Sequence, residues 1–69
     1  MKRDAVSSSN IASIGYEKKS STLEVEFNNG AVYQYFDVPE AVYNDLMGAG
    51  SKGEYLARTI KGAYRYSKV

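Results

Sequence analysis

Tyr33 and Tyr35, one residue apart, and a run of basic residues beyond position 50 are the side chains here best suited to meeting a ligand. On a β-strand, alternate residues project from the same face. The two rings would then form a platform of the kind on which unpaired bases of single-stranded nucleic acid stack. Lys52, Arg58, Lys61 and Arg65 would meet the phosphates. The structural alternative is that tyrosine fills a core while its hydroxyl reaches the surface. A second candidate is Gly48-Ala49-Gly50-Ser51-Lys52-Gly53, a glycine-rich turn running into a helix start. The helix N-terminus at Ser51 and Gly53 would offer backbone N–H groups to an anion, with Lys52 adjacent. The segment lacks the Gly-Lys-Ser/Thr spacing of a phosphate-binding loop, and a plain helix–helix turn is the simpler account.

Catalysis is poorly provided for. The chain has no histidine and no cysteine, which excludes the familiar nucleophilic triads and the usual zinc sites. Neither a metal nor a cofactor is expected. Glu24 and Glu26 share a strand face and could in principle form an acid–base pair, but a solvated sheet face explains them more simply. Ser51-Lys52 invites comparison with a serine–lysine nucleophile, and an ordinary helix cap is the plainer reading. We therefore expect a binding module and not an enzyme.

The element that must carry the tyrosines is a hairpin spanning residues 22–38. Two alternating runs flank Asn29-Gly30, the strongest short-range hairpin signal. Leu23, Val25 and Phe27 fall on one face of the first run, with Glu24 and Glu26 on the other. On the return run, Tyr33 and Tyr35 share a face opposite Val32 and Phe36. A two-residue type I′ loop pairs Phe27 with Val32, Val25 with Gln34 and Leu23 with Phe36, leaving Tyr33 and Tyr35 beside Glu26 and Glu24. A three-residue loop of Asn28, Asn29 and Gly30 shifts the pairing by one and turns both tyrosines toward Val25 and Phe27. We expect the first register, because it gathers five apolar residues on one side, spoiled only by Gln34. Phe27→Ala would then cost about 3–5 kcal/mol.

The flanking segments complete an α+β domain. Residues 1–10 are polar and serine-rich, and the first few are expected to be loosely held. Ala12, Ile14 and Tyr16 alternate with Ile11, Ser13 and Gly15 in a further strand, in which Gly15 marks a bulge or a close backbone approach. Val38-Pro39-Glu40 reads as a helix start, with Val42, Leu46 and Ala49 on its apolar stripe and Gly48 and Gly50 as its end. Ser51-x-x-Glu54 has capping-box spacing and opens a second helix through Ile60, with Gly62 as its stop. Ala63–Ser67 alternates again, as a short edge strand or an extended tail. The expected fold is a three-stranded antiparallel meander followed by two short helices.

With 69 residues the chain is a single domain, near the size at which one core only just suffices. Seven tyrosines and two phenylalanines supply large side chains for it. No apolar run approaches a membrane span, and no secretory signal stands at the start, so the expected location is cytoplasmic. The net charge is +1, but residues 51–69 hold five basic side chains (Lys52, Arg58, Lys61, Arg65, Lys68) against Glu54 alone. That local excess of four positive charges can attract a polyanion.

Several of these residues, taken in order, carry a family resemblance: Ser-Ser-Asn-Ile at 8–11, Gly15-Tyr16, Leu23–Phe27, Asn29-Gly30, Tyr33-Gln34-Tyr35, Val38-Pro39 and Ser51-Lys52-Gly53-Glu54-Tyr55. Together they resemble the KTSC domain, from about Val6 to Tyr66. That family is named for the C-terminal segment of some lysyl-tRNA synthetases and also occurs as small free-standing bacterial or phage proteins. The resemblance implies RNA, either tRNA or a single strand, as a partner. It differs at Leu56-Ala57, where many members carry an aromatic residue followed by asparagine. The rival expectation is a protein-interaction module, a homodimer or an adaptor for a larger enzyme.

Overall fold

The alternating segments form three strands, β2 (Ile11–Glu17), β3 (Thr22–Phe27) and β4 (Val32–Tyr35). The computed structural model, which describes residues 1–69, adds an outer strand at each edge: β1 (Asp4–Ala5) and β5 (Tyr66–Lys68). The result is a five-stranded antiparallel sheet in the order β1-β2-β3-β4-β5. The alternation after Ala63 is therefore an edge strand, and the expected three-stranded meander is the centre of a wider sheet.

The hairpin adopts the other register. Leu23 lies opposite Tyr35, Val25 opposite Tyr33 and Glu24 opposite Gln34. The loop has three residues: the Phe27 N–H donates to the Ala31 carbonyl at 2.8 Å, and the Gly30 N–H donates to the Phe27 carbonyl at 2.9 Å. Gly30 has a φ of +90°, the left-handed geometry that such a loop requires and that glycine adopts freely. Tyr33 and Tyr35 thus stand with Val25 and Leu23, not with the glutamates. Polarity decides the register. Type I′ pairing would set Gln34 opposite Val25 in the apolar face, whereas here its Nε2 donates to Glu24 Oε1 at 2.8 Å, and the tyrosine rings take the core side instead.

A bulge between Ile11 and Ser13 corrects the alternation of β2. It turns Ile11 to the same side as Ile14, and both are buried. Helix α1 (Glu40–Gly48) follows Pro39, whose φ of −62° and extended ψ make it the residue before the first helical turn, one position earlier than expected. Ser51 caps α2 (Lys52–Tyr55), its hydroxyl accepting from the Glu54 N–H at 3.4 Å. Only half of the capping box forms, because the Glu54 carboxylate faces Arg58 at 3.5 Å. Ser51→Ala should therefore cost about 1 kcal/mol, read as a fall in melting temperature of roughly 4–8 °C.

The helix continues as a wider π-turn, Leu56–Ile60, closed by a Lys61 N–H to Leu56 carbonyl bond of 2.9 Å. Gly62 follows with a φ of +83° and redirects the chain toward β5. The helices cover one sheet face, where Ile11, Ile14, Leu23, Val25, Tyr35, Val38, Leu46, Leu56 and Ile60 form a single core. No helix is long and apolar enough to cross a membrane.

The opposite face is not the solvated surface expected for Glu24 and Glu26, nor are the first residues loose. Arg3 lies across it. Its guanidinium meets Glu24 at 2.5 Å and Glu26 at 3.8 Å, and its Nε donates to Ser13 Oγ at 3.1 Å. Glu24 is buried at 8 % exposure. The hydrogen bond from Gln34 holds its carboxyl below the ordinary value, against the opposing effect of burial and with help from Arg3. Gly15 makes room for this strap. A Cβ there would stand 2.5 Å from the Lys2 carbonyl oxygen and 2.9 Å from Arg3 Cγ, which is the close backbone approach read from the sequence.

Candidate ligand groove

At the β4–β5 edge of the core face the helices stop short, and an open groove of about 820 Å³ remains. Strand pairing builds its floor. Tyr35 lies opposite Tyr66 and Tyr33 opposite Lys68, and directly paired residues project to the same side. Phe27 meets Tyr33 edge-on, with ring centroids 5.8 Å apart. Tyr66 contacts Tyr33 at 5.9 Å and Tyr35 at 6.0 Å. Four rings thus run in series along the groove. Lys61, at the end of the π-turn, holds its ammonium 5.5 Å from the centre of the Phe27 ring, a cation–π contact.

The far wall is the hairpin tip and the turn before β2. The Ser8 hydroxyl accepts from the Ile11 N–H at 3.3 Å, the Asn28 N–H donates to the Asn10 carbonyl at 2.9 Å, and Asn28 Nδ2 donates to the Ser9 carbonyl at 3.0 Å. These bonds fix the polar end of the groove against β3.

The four rings differ in access. Tyr35 is only 3 % exposed and Tyr66 is 62 % exposed, with Tyr33 and Phe27 between. Burial pushes the Tyr35 phenol above its ordinary value of 10.0, and Tyr33 and Tyr66 add to the shift. It therefore remains a protonated donor at neutral pH.

Of the residues expected to meet a ligand, the groove gathers Tyr33, Tyr35 and Lys61. The others lie elsewhere. Arg65 pairs with Asp37 at 2.8 Å and lies over Phe36. Arg58 faces Glu54, and Lys52 donates to the Ala49 carbonyl at 3.4 Å. Ser51 serves as the cap. Gly53 packs under Asn10, whose carboxamide occupies the place a Cβ would take. Tyr66, Lys68 and Phe27 belong to the groove but were not read as ligand contacts from the sequence, where Lys68 counted only toward the basic segment and Phe27 only toward the core. Tyr66 and Lys68 become visible only once β5 is paired with β4.

A five-stranded sheet with two short helices on one face and an aromatic groove at the open edge define a small α+β domain. The chain belongs to the KTSC domain family, which matches residues 7–66. A lysine–tRNA ligase of Nostoc punctiforme is 43% identical over 59 residues, covering 86% of this chain and 10% of the ligase. The chain thus spans about a tenth of the length of the ligase it matches. An uncharacterized protein of Stutzerimonas stutzeri is 41% identical over 70 residues, covering 100% of this chain and 99% of its own. The crystal structure of a KTSC domain protein from Yersinia pestis superposes with a TM-score of 0.93 at 42% identity, covering 99% of this chain and 96% of that one.

Proposed function

We propose that this domain is a non-catalytic module that binds single-stranded RNA, including the unpaired ends and loops of tRNA, in the cytoplasm. The observation that carries this reading is the groove itself: an exposed tyrosine, Tyr66, in series with Tyr33 and Phe27, and flanked by Lys61 and Lys68. Aromatic rings take base faces without demanding a sequence, and ammonium groups take phosphates. Kinship with a segment of proteins named lysine–tRNA ligases supports an RNA partner.

The test is a salt titration of binding to tRNA and to short single-stranded oligonucleotides. Tyr66→Ala should cost about 1–3 kcal/mol of binding and leave the salt slope unchanged. Lys61→Ala or Lys68→Ala should lower the slope by about 0.7 for a single strand. Neutralising Arg58 or Arg65, which already face Glu54 and Asp37, should change affinity less. If the wild type binds neither RNA at low salt, this reading fails. Binding of a protein partner in the same groove, weakly sensitive to salt, would replace it.

A further inference from the structure

We infer that the groove recognises a nucleotide one unit at a time, with an acceptor atom of the base edge on the Tyr35 hydroxyl and the adjoining phosphates on Lys61 and Lys68. This rests on the RNA reading and specifies what the site holds. The starting observation is a donor without a partner. Tyr16 donates its hydroxyl to the Val38 carbonyl at 2.6 Å, but the Tyr35 hydroxyl bonds to no protein group, although Tyr35 is one of the nine core residues. No fully enclosed side-chain polar atom in the chain lacks a hydrogen bond. The Tyr35 oxygen is therefore not fully enclosed, and Tyr35 lines the groove.

A buried donor opening onto an aromatic floor strengthens binding of any ligand that brings an acceptor to it, and disfavours one that cannot. The floor of the groove is aromatic and uncharged, and of its three phenols Tyr35 is the buried one. The ammonium groups of the exposed Lys61 and Lys68 stand at its rim. That separation of an aromatic floor holding one buried donor from a charged rim matches the separation of base and phosphate within a nucleotide. A bare phosphate or sugar phosphate would satisfy the rim and leave the phenol unmet.

The experiment compares wild type with Tyr35→Phe, which removes only the unbonded oxygen and should leave the melting temperature unchanged. Three probes are titrated: hexauridylate, uridine 5′-monophosphate and ribose 5-phosphate. Tyr35→Phe should weaken both uridine probes about three- to tenfold, the range expected for one neutral hydrogen bond, with no change in salt slope. Ribose 5-phosphate should bind more weakly than the monophosphate and be indifferent to the substitution. As a second readout, in wild-type protein carrying carbon-13 at tyrosine Cζ, the Tyr35 resonance should move on adding the monophosphate while that of Tyr16 stays. Equal affinities of wild type and Tyr35→Phe for the uridine probes, or an unmoved Tyr35 resonance at saturation, would overturn the inference while leaving RNA binding intact. Absence of wild-type binding to any uridine probe overturns both.

Discussion

Leu46→Ala is expected to remove about half of the protein's folding stability. Leu46 is fully buried, and it brings α1 onto the sheet side of the core. Truncating a buried leucine costs about 2–5 kcal/mol, from lost transfer energy and the cavity left behind. A domain of this size has a total stability of only about 3–10 kcal/mol. Urea titration followed by circular dichroism should show the midpoint falling by about half with an unchanged slope. Phe27→Ala makes the contrast. Its ring is only partly buried beneath Lys61, so the cost should be about 1–2 kcal/mol, less than the register read from the sequence implied. Equal losses for the two variants would contradict the burial described here.

Arg3→Ala should produce the second large effect, and its size should depend on pH. Glu24 has a lowered pKa in the folded state, so its contribution is fully present above the unfolded value and is lost as the pH falls through the folded one. Gln34 is its leading partner and remains in the variant, but the guanidinium that offsets burial is gone. The folded pKa should then rise. At neutral pH the loss should be about 1.5–3 kcal/mol, the range for hydrogen bonds to a charged group. Acid unfolding should begin at a higher pH than in wild type, and the two stability curves should converge once Glu24 is protonated in both. Denaturant midpoints measured between pH 3 and pH 7 check this, and a constant difference across that range would remove Glu24 from the account.

The three central strands, both helices, the Ser51 cap and the alternation within each hairpin strand were legible because each depends on local pattern: alternation, a proline before a helix, a serine three residues before a glutamate. The register was not, because Asn28-Asn29-Gly30 serves either loop. A sign of the answer was nonetheless present, since Gln34 was the one polar residue left in the apolar face of the type I′ pairing. The Arg3 strap was missed for a different reason. Nothing local distinguishes an arginine that crosses a sheet from one in solvent, and only Gly15 hinted that something lay close. The groove required β5, whose pairing with β4 spans two helices and leaves no short-range trace. The motif residues Asn10 and Gly53, distant in sequence, prove to be one packing contact.

Strand order carries a kinetic consequence. Strands β1 to β4 pair only with neighbours in sequence, whereas β5 closes on β4 across the whole of both helices. Local pairings incur little loop-closure entropy and form early; the long-range one forms against an already ordered surface. Tyr66 and Lys68 arrive with that last strand, so the central hairpin can mature before the groove exists. Of all the strand pairings, that of β4 with β5 is the one whose loss by fraying would dismantle the groove while leaving the central sheet and most of the core assembled.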